Sequence, residues 1–256
     1  MVKPELGRDV KIGRDVTINV TEHLSIGDRS VINDDVIIEG RHIDIGREAW
    51  IDKGAYIGGG SCFDWQSELI VGDWLHMGKG SHINTARKVV IGDECGVGIG
   101  TKIFTHGAYL SAYEGFPVAF EAVSIGDRVW LPHAWVNPGV HIGSDVVVAA
   151  MSLVNRDLPA GCLAGGIPIR LLKENVYPRS LTLREKTLFV DRIAAYLQLP
   201  FRLNKGEIKF KGTIFNLEKR NIEGPSTEET ERIKNQLRRH GIRFRVYADE
   251  GEYRPW

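Results

Sequence analysis

Along the first two thirds of the chain an aliphatic residue returns at every sixth position. The series runs Leu6, Ile12, Ile18; Ile26, Ile32, Ile38; Ile45, Ile51, Ile57; Val71, Met77, Ile83; Ile91, Val97, Ile103; Ile125, Leu131, Val136; and Ile142, Val148, Val154. Within each triplet the step is six, except for the five between Leu131 and Val136. Between triplets the steps are 8, 7, 14, 8, 22 and 6, so nearly every extra residue enters at one phase of the repeat. A six-residue unit is too short for a helical repeat and suits one flat strand plus a corner. Three such units close a triangular coil. Stacked coils would set each aliphatic side chain over its equivalents, building an axial core while backbone groups pair between coils. The pattern predicts a mainly β fold, a parallel β-helix of about seven coils over residues 1–172.

Glycine follows the aliphatic residue in IGRDV, IGDRS, IGREA, VGDWL, IGDEC, IGDRV and IGSDV, which fits corners that need a permissive backbone. Two longer insertions, at about 63–70 and 107–124, leave the predicted prism from the same edge. Functional groups concentrate on loops carried by a rigid scaffold, and the repeat is interrupted at IFTHGAYL, where Phe104 replaces the glycine and His106 follows.

Residues 173–256 read differently and predict a small C-terminal α/β appendage. TLRE at 182–185 is a capping box ahead of a helical apolar pattern, with a helix expected over about 183–198. GEIKFKGTIFNLEK alternates as one half-buried strand. STEE at 226–229 opens a second helix that His240 and Gly241 close, before the strand-like IRFRVYADEGEY.

Charge and cysteines narrow the function classes. The 256 residues carry 33 basic and 33 acidic side chains, a balance that advertises neither nucleic acid nor an anionic membrane as partner. No apolar stretch is long enough to span a bilayer, and MVKPELGRDV lacks the pattern of a signal peptide, so a cytoplasmic protein is expected. Cys62, Cys95 and Cys162 are odd in number and lack metal-type spacing, which predicts free thiols.

The tandem aliphatic-Gly pattern resembles the left-handed parallel β-helix of the hexapeptide-repeat acyltransferases. THGAYLSAYEGFPVAFEAVSIGDRVW, then NPGVHIG, then AGGIPIR are similar in order and spacing to the maltose, galactoside and xenobiotic acetyltransferase branch, with His106 standing 24 residues before Trp130. The resemblance implies an acetyl-CoA-dependent enzyme, a homotrimer, acting on a sugar, nucleotide sugar or cell-surface glycan precursor through O- or N-transfer. It implies His106 as general base, Asn84 beside the acceptor, and Trp130, Ala150, Asn155, Gly165, Gly166 and Arg170 along the cofactor. An imidazole titrates near neutrality and suits that task. Direct transfer needs no acyl-enzyme. LPHAWV is one residue short of the repeat, with Pro132 in place of a small residue, so this coil must bulge or tighten.

Two other readings share the fold. A noncatalytic scaffold would keep the prism with a degenerate site. A zinc hydrase of the γ-class carbonic anhydrase type would need histidines five apart on one coil, whereas His76 and His82 are six apart and His133 and His141 eight apart. No metal is expected for the reaction.

Overall fold

A computed structural model describes residues 2–256. It divides into two compact units, residues 1–179 and 180–256.

The first unit is the triangular β-helix, and its register matches the aliphatic repeat. On the first face Leu6 pairs with Ile26, Ile26 with Ile45, Ile45 with Val71, Val71 with Ile91, and Ile91 with Ile125, all in parallel. On the second face Ile12, Ile32, Ile51, Met77, Val97 and Leu131 follow one another in the same way. On the third face Ile38, Ile57, Ile83, Ile103, Val136 and Val154 do so. The five-residue step does not slip the register, because Lys102 still lies opposite Trp135. The buried hydroxyl of Thr101 compensates for the missing residue: it donates to the Leu131 carbonyl at 2.7 Å and accepts from the Ala134 amide at 3.1 Å. The coil tightens around one side chain.

The corner glycines serve a purpose other than the one expected. Gly27, Gly46, Gly72, Gly92 and Gly126 do not adopt the left-handed conformation; a Cβ on any of them would lie 2.2–2.6 Å from atoms of the next coil. Close approach between coils, not backbone freedom, excludes a side chain there. The left-handed residue stands two positions later, at Arg29, Glu48, Trp74, Glu94 and Arg128.

The axial column is dry in the middle and open at its start. Ile32, Ile51, Met77 and Ile83 are fully buried, whereas Leu6 and Ile12 are 48% and 42% exposed. The strand Arg170–Lys173 turns back antiparallel on Leu163–Gly165 and continues this unit beyond the last regular coil.

The second unit has its own core, including Val190, Ile193, Phe215, Ile233 and Leu237. Helix α1, Leu183–Leu197, starts at the Thr182/Glu185 capping box. Helix α2, Glu228–Arg239, is capped one residue later than the sequence suggests, by Thr227 with Thr230. Both expected single strands are hairpins. Glu207–Phe210 turns into Thr213–Asn216 through Lys211 and Gly212, and Val246–Asp249 turns into Glu252–Pro255 through Glu250 and Gly251. All four turn residues have positive φ, the signature of a two-residue turn that matches strand twist. Lys-Gly and Glu-Gly are weaker turn signals than Asn-Gly, which is why the alternation reads as continuous.

Replacing Ile51 with alanine should empty a site enclosed between Ile32 and Met77 and cost about 2–5 kcal/mol. Ile12→Ala, at the open end, should cost well under half of that. Urea midpoints of the two variants test the difference, and equal losses would contradict a column that is dry only in its interior.

Candidate active site

His106 stands where the third face turns into the first, at the start of an antiparallel hairpin. His106 and Gly107 pair with Phe120 and Ala119, so most of the 107–124 insertion is a hairpin standing off the prism. Its tip carries Tyr109 and Tyr113, both almost fully exposed. The earlier insertion leaves the same edge two coils before. Its loop is Gly58–Ser67, since Glu68–Val71 already forms a strand. Asn84 occupies that edge on the coil between them.

The hydrogen bonds of Asn84 fix its orientation. Its Nδ2 donates to the Gly58 carbonyl at 3.2 Å and the Gly60 carbonyl at 3.1 Å. Its Oδ1 therefore faces the other way, 2.8 Å from Thr105 Oγ1 and 2.8 Å from His106 Nδ1. An amide oxygen only accepts, so the proton of neutral His106 sits on Nδ1 and Nε2 keeps its lone pair. Asn84 and Thr105 are fully buried, and His106 is half-buried. Such an imidazole is fixed in one tautomer and ready to take a proton at Nε2.

Glycines shape the space before that nitrogen. A Cβ on Gly60 would lie 3.1 Å from His106 Nε2, and one on Gly59, at φ +99°, would lie 3.1 Å from His82 Nε2. The IGGGS run thus keeps side chains away from both nitrogens. Opposite it, Phe120 stacks on His106 at 5.6 Å, and the Arg87 guanidinium lies 4.7 Å from the Phe120 ring while pairing with Asp64 at 2.9 Å. Arg87 thereby joins the two insertions.

An aromatic strip leads away across the third face. Tyr56 stacks on His82 at 4.5 Å, His82 meets the edge of Phe104 at 5.3 Å, and Phe104 stacks on Trp135 at 4.9 Å. Burial pushes the His82 pKa down, and its Nε2 lies 3.2 Å from the Gly58 carbonyl, which calls for the Nε2–H tautomer. Burial, reinforced by Glu39, raises the Tyr56 hydroxyl to about 12, and it donates to Glu39 at 2.9 Å. Trp135 ends the strip in a depression of about 170 Å³, lined also by Lys102, His133, Met151, Leu153 and Ile167.

The residues expected along the cofactor are not gathered around His106 within one chain. Trp130 projects from the second face, 43% exposed, with its ring over Gly96. Ala150, Gly165 and Gly166 lie near the corner joining the second and third faces, where the Gly166 amide donates to Ser152 Oγ at 3.0 Å. Arg170 is exposed opposite Gly165. Asn155 alone shares the edge of His106, further along the axis and exposed. Sequence reading pointed to His82 and to Phe120 among the loop aromatics as candidate acceptor contacts, but missed Gly58–Gly60, Thr105 and Arg87; for these the triple glycine was the one visible signal. The thiols offer no competing nucleophile, since burial raises Cys62 and Cys162 and pushes Cys95 up to about 11.

No family model matches the chain. Among curated proteins it is similar to the galactoside O-acetyltransferase of Escherichia coli K12, 42% identical over 53 residues, 20% of this chain and 26% of that protein. It is also similar to a chloramphenicol acetyltransferase of Klebsiella aerogenes, 34% identical over 77 residues, 30% of this chain and 36% of that protein. The chain thus spans about a quarter to a third of the length of these relatives. Among solved structures, the polySia-specific acetyltransferase NeuO superposes with a TM-score of 0.52 at 17% identity, over 75% of this chain and 86% of that one. That likeness concerns the fold, a left-handed parallel β-helix. Over this prism the chain resembles the hexapeptide-repeat acyltransferases of the maltose, galactoside and xenobiotic branch.

Proposed function

We propose that the protein is an acyltransferase that moves an acetyl group from acetyl-CoA to a hydroxyl or amino group of a sugar, nucleotide sugar or glycan precursor. The observation that carries this reading is the imidazole of His106, held by Asn84 with Nε2 free and glycine-lined space in front of it. The names of similar proteins, one acting on galactosides and one on polySia, support an acceptor of the sugar class.

In this mechanism His106 Nε2 takes the acceptor proton as its oxygen or nitrogen attacks the thioester carbon. The new C–O or C–N bond forms, the C–S bond breaks, and the proton passes from Nε2 to the leaving sulfur. Asn84 Oδ1 keeps its bond to Nδ1–H throughout and stabilises the transient imidazolium. No covalent enzyme intermediate is involved, in keeping with three buried, raised thiols.

Acetyl-CoA supplies the activated acyl group. Its pantetheine arm would run along the aromatic strip and the depression beside Trp135, Met151 and Ile167. Ala150, Gly165 and Gly166, beside Met151, Ser152 and Ile167 of that depression, would meet the arm from the same prism, and Trp130, Asn155 and Arg170 would meet the remainder from the neighbouring prism of a homotrimer. Trp130 and His106 face different sides of their own prism, so a donor touching both types of residue spans two chains. Among the described residues no helix is long and apolar enough to cross a membrane. We place the reaction in the cytoplasm, where coenzyme A thioesters are at hand.

Release of coenzyme A thiol from acetyl-CoA over a panel of sugars and nucleotide sugars tests the reading. An accepted sugar should give turnover that falls by a factor of about 10² or more in His106→Ala, the range of a general base. A wild-type protein that acetyl-CoA does not protect against heat denaturation would support the noncatalytic scaffold instead.

Gly60→Ala should lower turnover while leaving the unfolding midpoint nearly unchanged, because its methyl group would crowd Nε2 at 3.1 Å rather than the axial core. Unchanged turnover in a folded variant would remove Nε2 from the reaction.

A further inference from the structure

Leading into the first face of the second and third coils, two imidazoles and a carboxylate converge. His23 Nε2 lies 2.8 Å from Asp44 Oδ1, and His42 Nε2 lies 2.8 Å from Asp44 Oδ2. The two rings are 4.7 Å apart. One ligand atom from each residue lies within 4.8 Å of the other two, and among the described residues this is the only group of three with that property. All three side chains are about a third exposed, at 30%, 32% and 34%.

A local break in the ladder creates this arrangement. Val20 pairs with Gly40, and the next aligned pair is His23 with His42, so two residues on one strand face one on the other. With an uninterrupted register Glu22 would oppose His42. The bulge brings His23 into line instead, and bulges characteristically re-aim a side chain in this way. Asp44 follows His42 by two residues and so projects from the same face of its strand. Ser25 Oγ, on the strand that carries His23, donates to Asp44 Oδ1 at 2.6 Å and holds the carboxylate in place, as supporting groups orient metal ligands.

We propose that His23, His42 and Asp44 form a binding site for one zinc-class divalent cation, a structural clip between the second and third coils. Two imidazole nitrogens and one carboxylate oxygen suit Zn²⁺, Co²⁺ or Ni²⁺ and are too poor in oxygen for Ca²⁺ or Mg²⁺. At metal–ligand distances of about 2.0–2.2 Å, neighbouring tetrahedral ligands sit about 3.3 Å apart. Each nitrogen now lies 2.8 Å from a different oxygen of Asp44, and the three ligand atoms lie within 4.8 Å of one another, so binding asks for side-chain shifts of at most about 1.5 Å. The ion takes the place of the two shared protons: each imidazole offers Nε2 as a lone pair and keeps its proton on Nδ1. Water completes the shell from the exposed side.

The site differs from the pairings considered for a zinc hydrase. His76 projects from the second face and His82 from the third face of one coil, and His141 from the first face of another. The ion would act one coil in from the open end of the prism, where Leu6 and Ile12 are exposed, and join strands 19 residues apart in sequence, His23 to His42. An ion bound by the native state alone raises stability by mass action. The inference does not depend on acyl transfer and stands or falls separately from it.

The full-length protein, stripped with chelator and dialysed, is titrated with Zn²⁺ by calorimetry and with Co²⁺ by visible absorption. One Zn²⁺ per chain is expected, with Co²⁺ bands of a four- or five-coordinate nitrogen–oxygen set and a higher unfolding midpoint in the presence of metal. His42→Ala and Asp44→Asn should each weaken binding by about 10² or more, no less than the loss from removing a supporting group. His76→Ala, which alters another histidine–carboxylate contact, should bind as the wild type does. Should the His42 and Asp44 variants misfold in the absence of metal, His23→Gln serves in their place and should show the same loss. Wild-type protein without a stoichiometric site, or folded His42 and His23 variants that bind Zn²⁺ unchanged, would overturn the proposal.

Discussion

The structure rests on one constraint, the vertical register of the aliphatic column. Each coil must present three apolar side chains to the axis at the same height as its neighbours do, while every backbone group between coils is paired. Extra residues can then leave only at a corner, because an insertion within a strand would turn its aliphatic side chain out of the core. Both long insertions leave between the third and first faces, and the same edge carries Asn84 and His106. The scaffold determines where variation is tolerated, and the chemistry is found there.

That edge also explains how a lone histidine becomes a defined base. Asn84 follows Ile83 out of the core column, and its side chain is locked by two carbonyls from the coil before and a hydroxyl from the coil after. Three successive coils thus hold one amide, and the amide holds the imidazole. Preorganisation of this kind avoids reorganisation during proton transfer, and it is achieved by backbone carbonyls that the stacking of coils already fixes in space.

Much of this was legible in the sequence, for specific reasons. The aliphatic period gave the coil register residue by residue, even through the short LPHAWV turn, because apolar burial leaves a trace at every repeat. His106 was visible as a break in that period. The hydrogen bonds of Asn84, the glycines before Nε2 and the aromatic strip were not, since they join residues about 20 or more apart through coil stacking rather than local pattern. Corner glycines were misread for a related reason: a sequence shows that a side chain is missing, not whether φ or a neighbouring coil forbids it. In the second unit, Lys211-Gly212 and Glu250-Gly251 hid two hairpin turns inside alternating runs.

The central claim is that the fold delivers His106 as a neutral imidazole protonated at Nδ1. Nitrogen-15 correlation spectra of the histidine side chains, recorded above the imidazole titration, measure that tautomer directly. The account predicts the Nδ1–H form for His106 in the wild-type protein and its loss or mixing in Asn84→Ala. A His106 resonance in the Nε2–H form in both proteins would contradict it, because the nitrogen facing the glycine-lined space would then carry a proton and could not accept one.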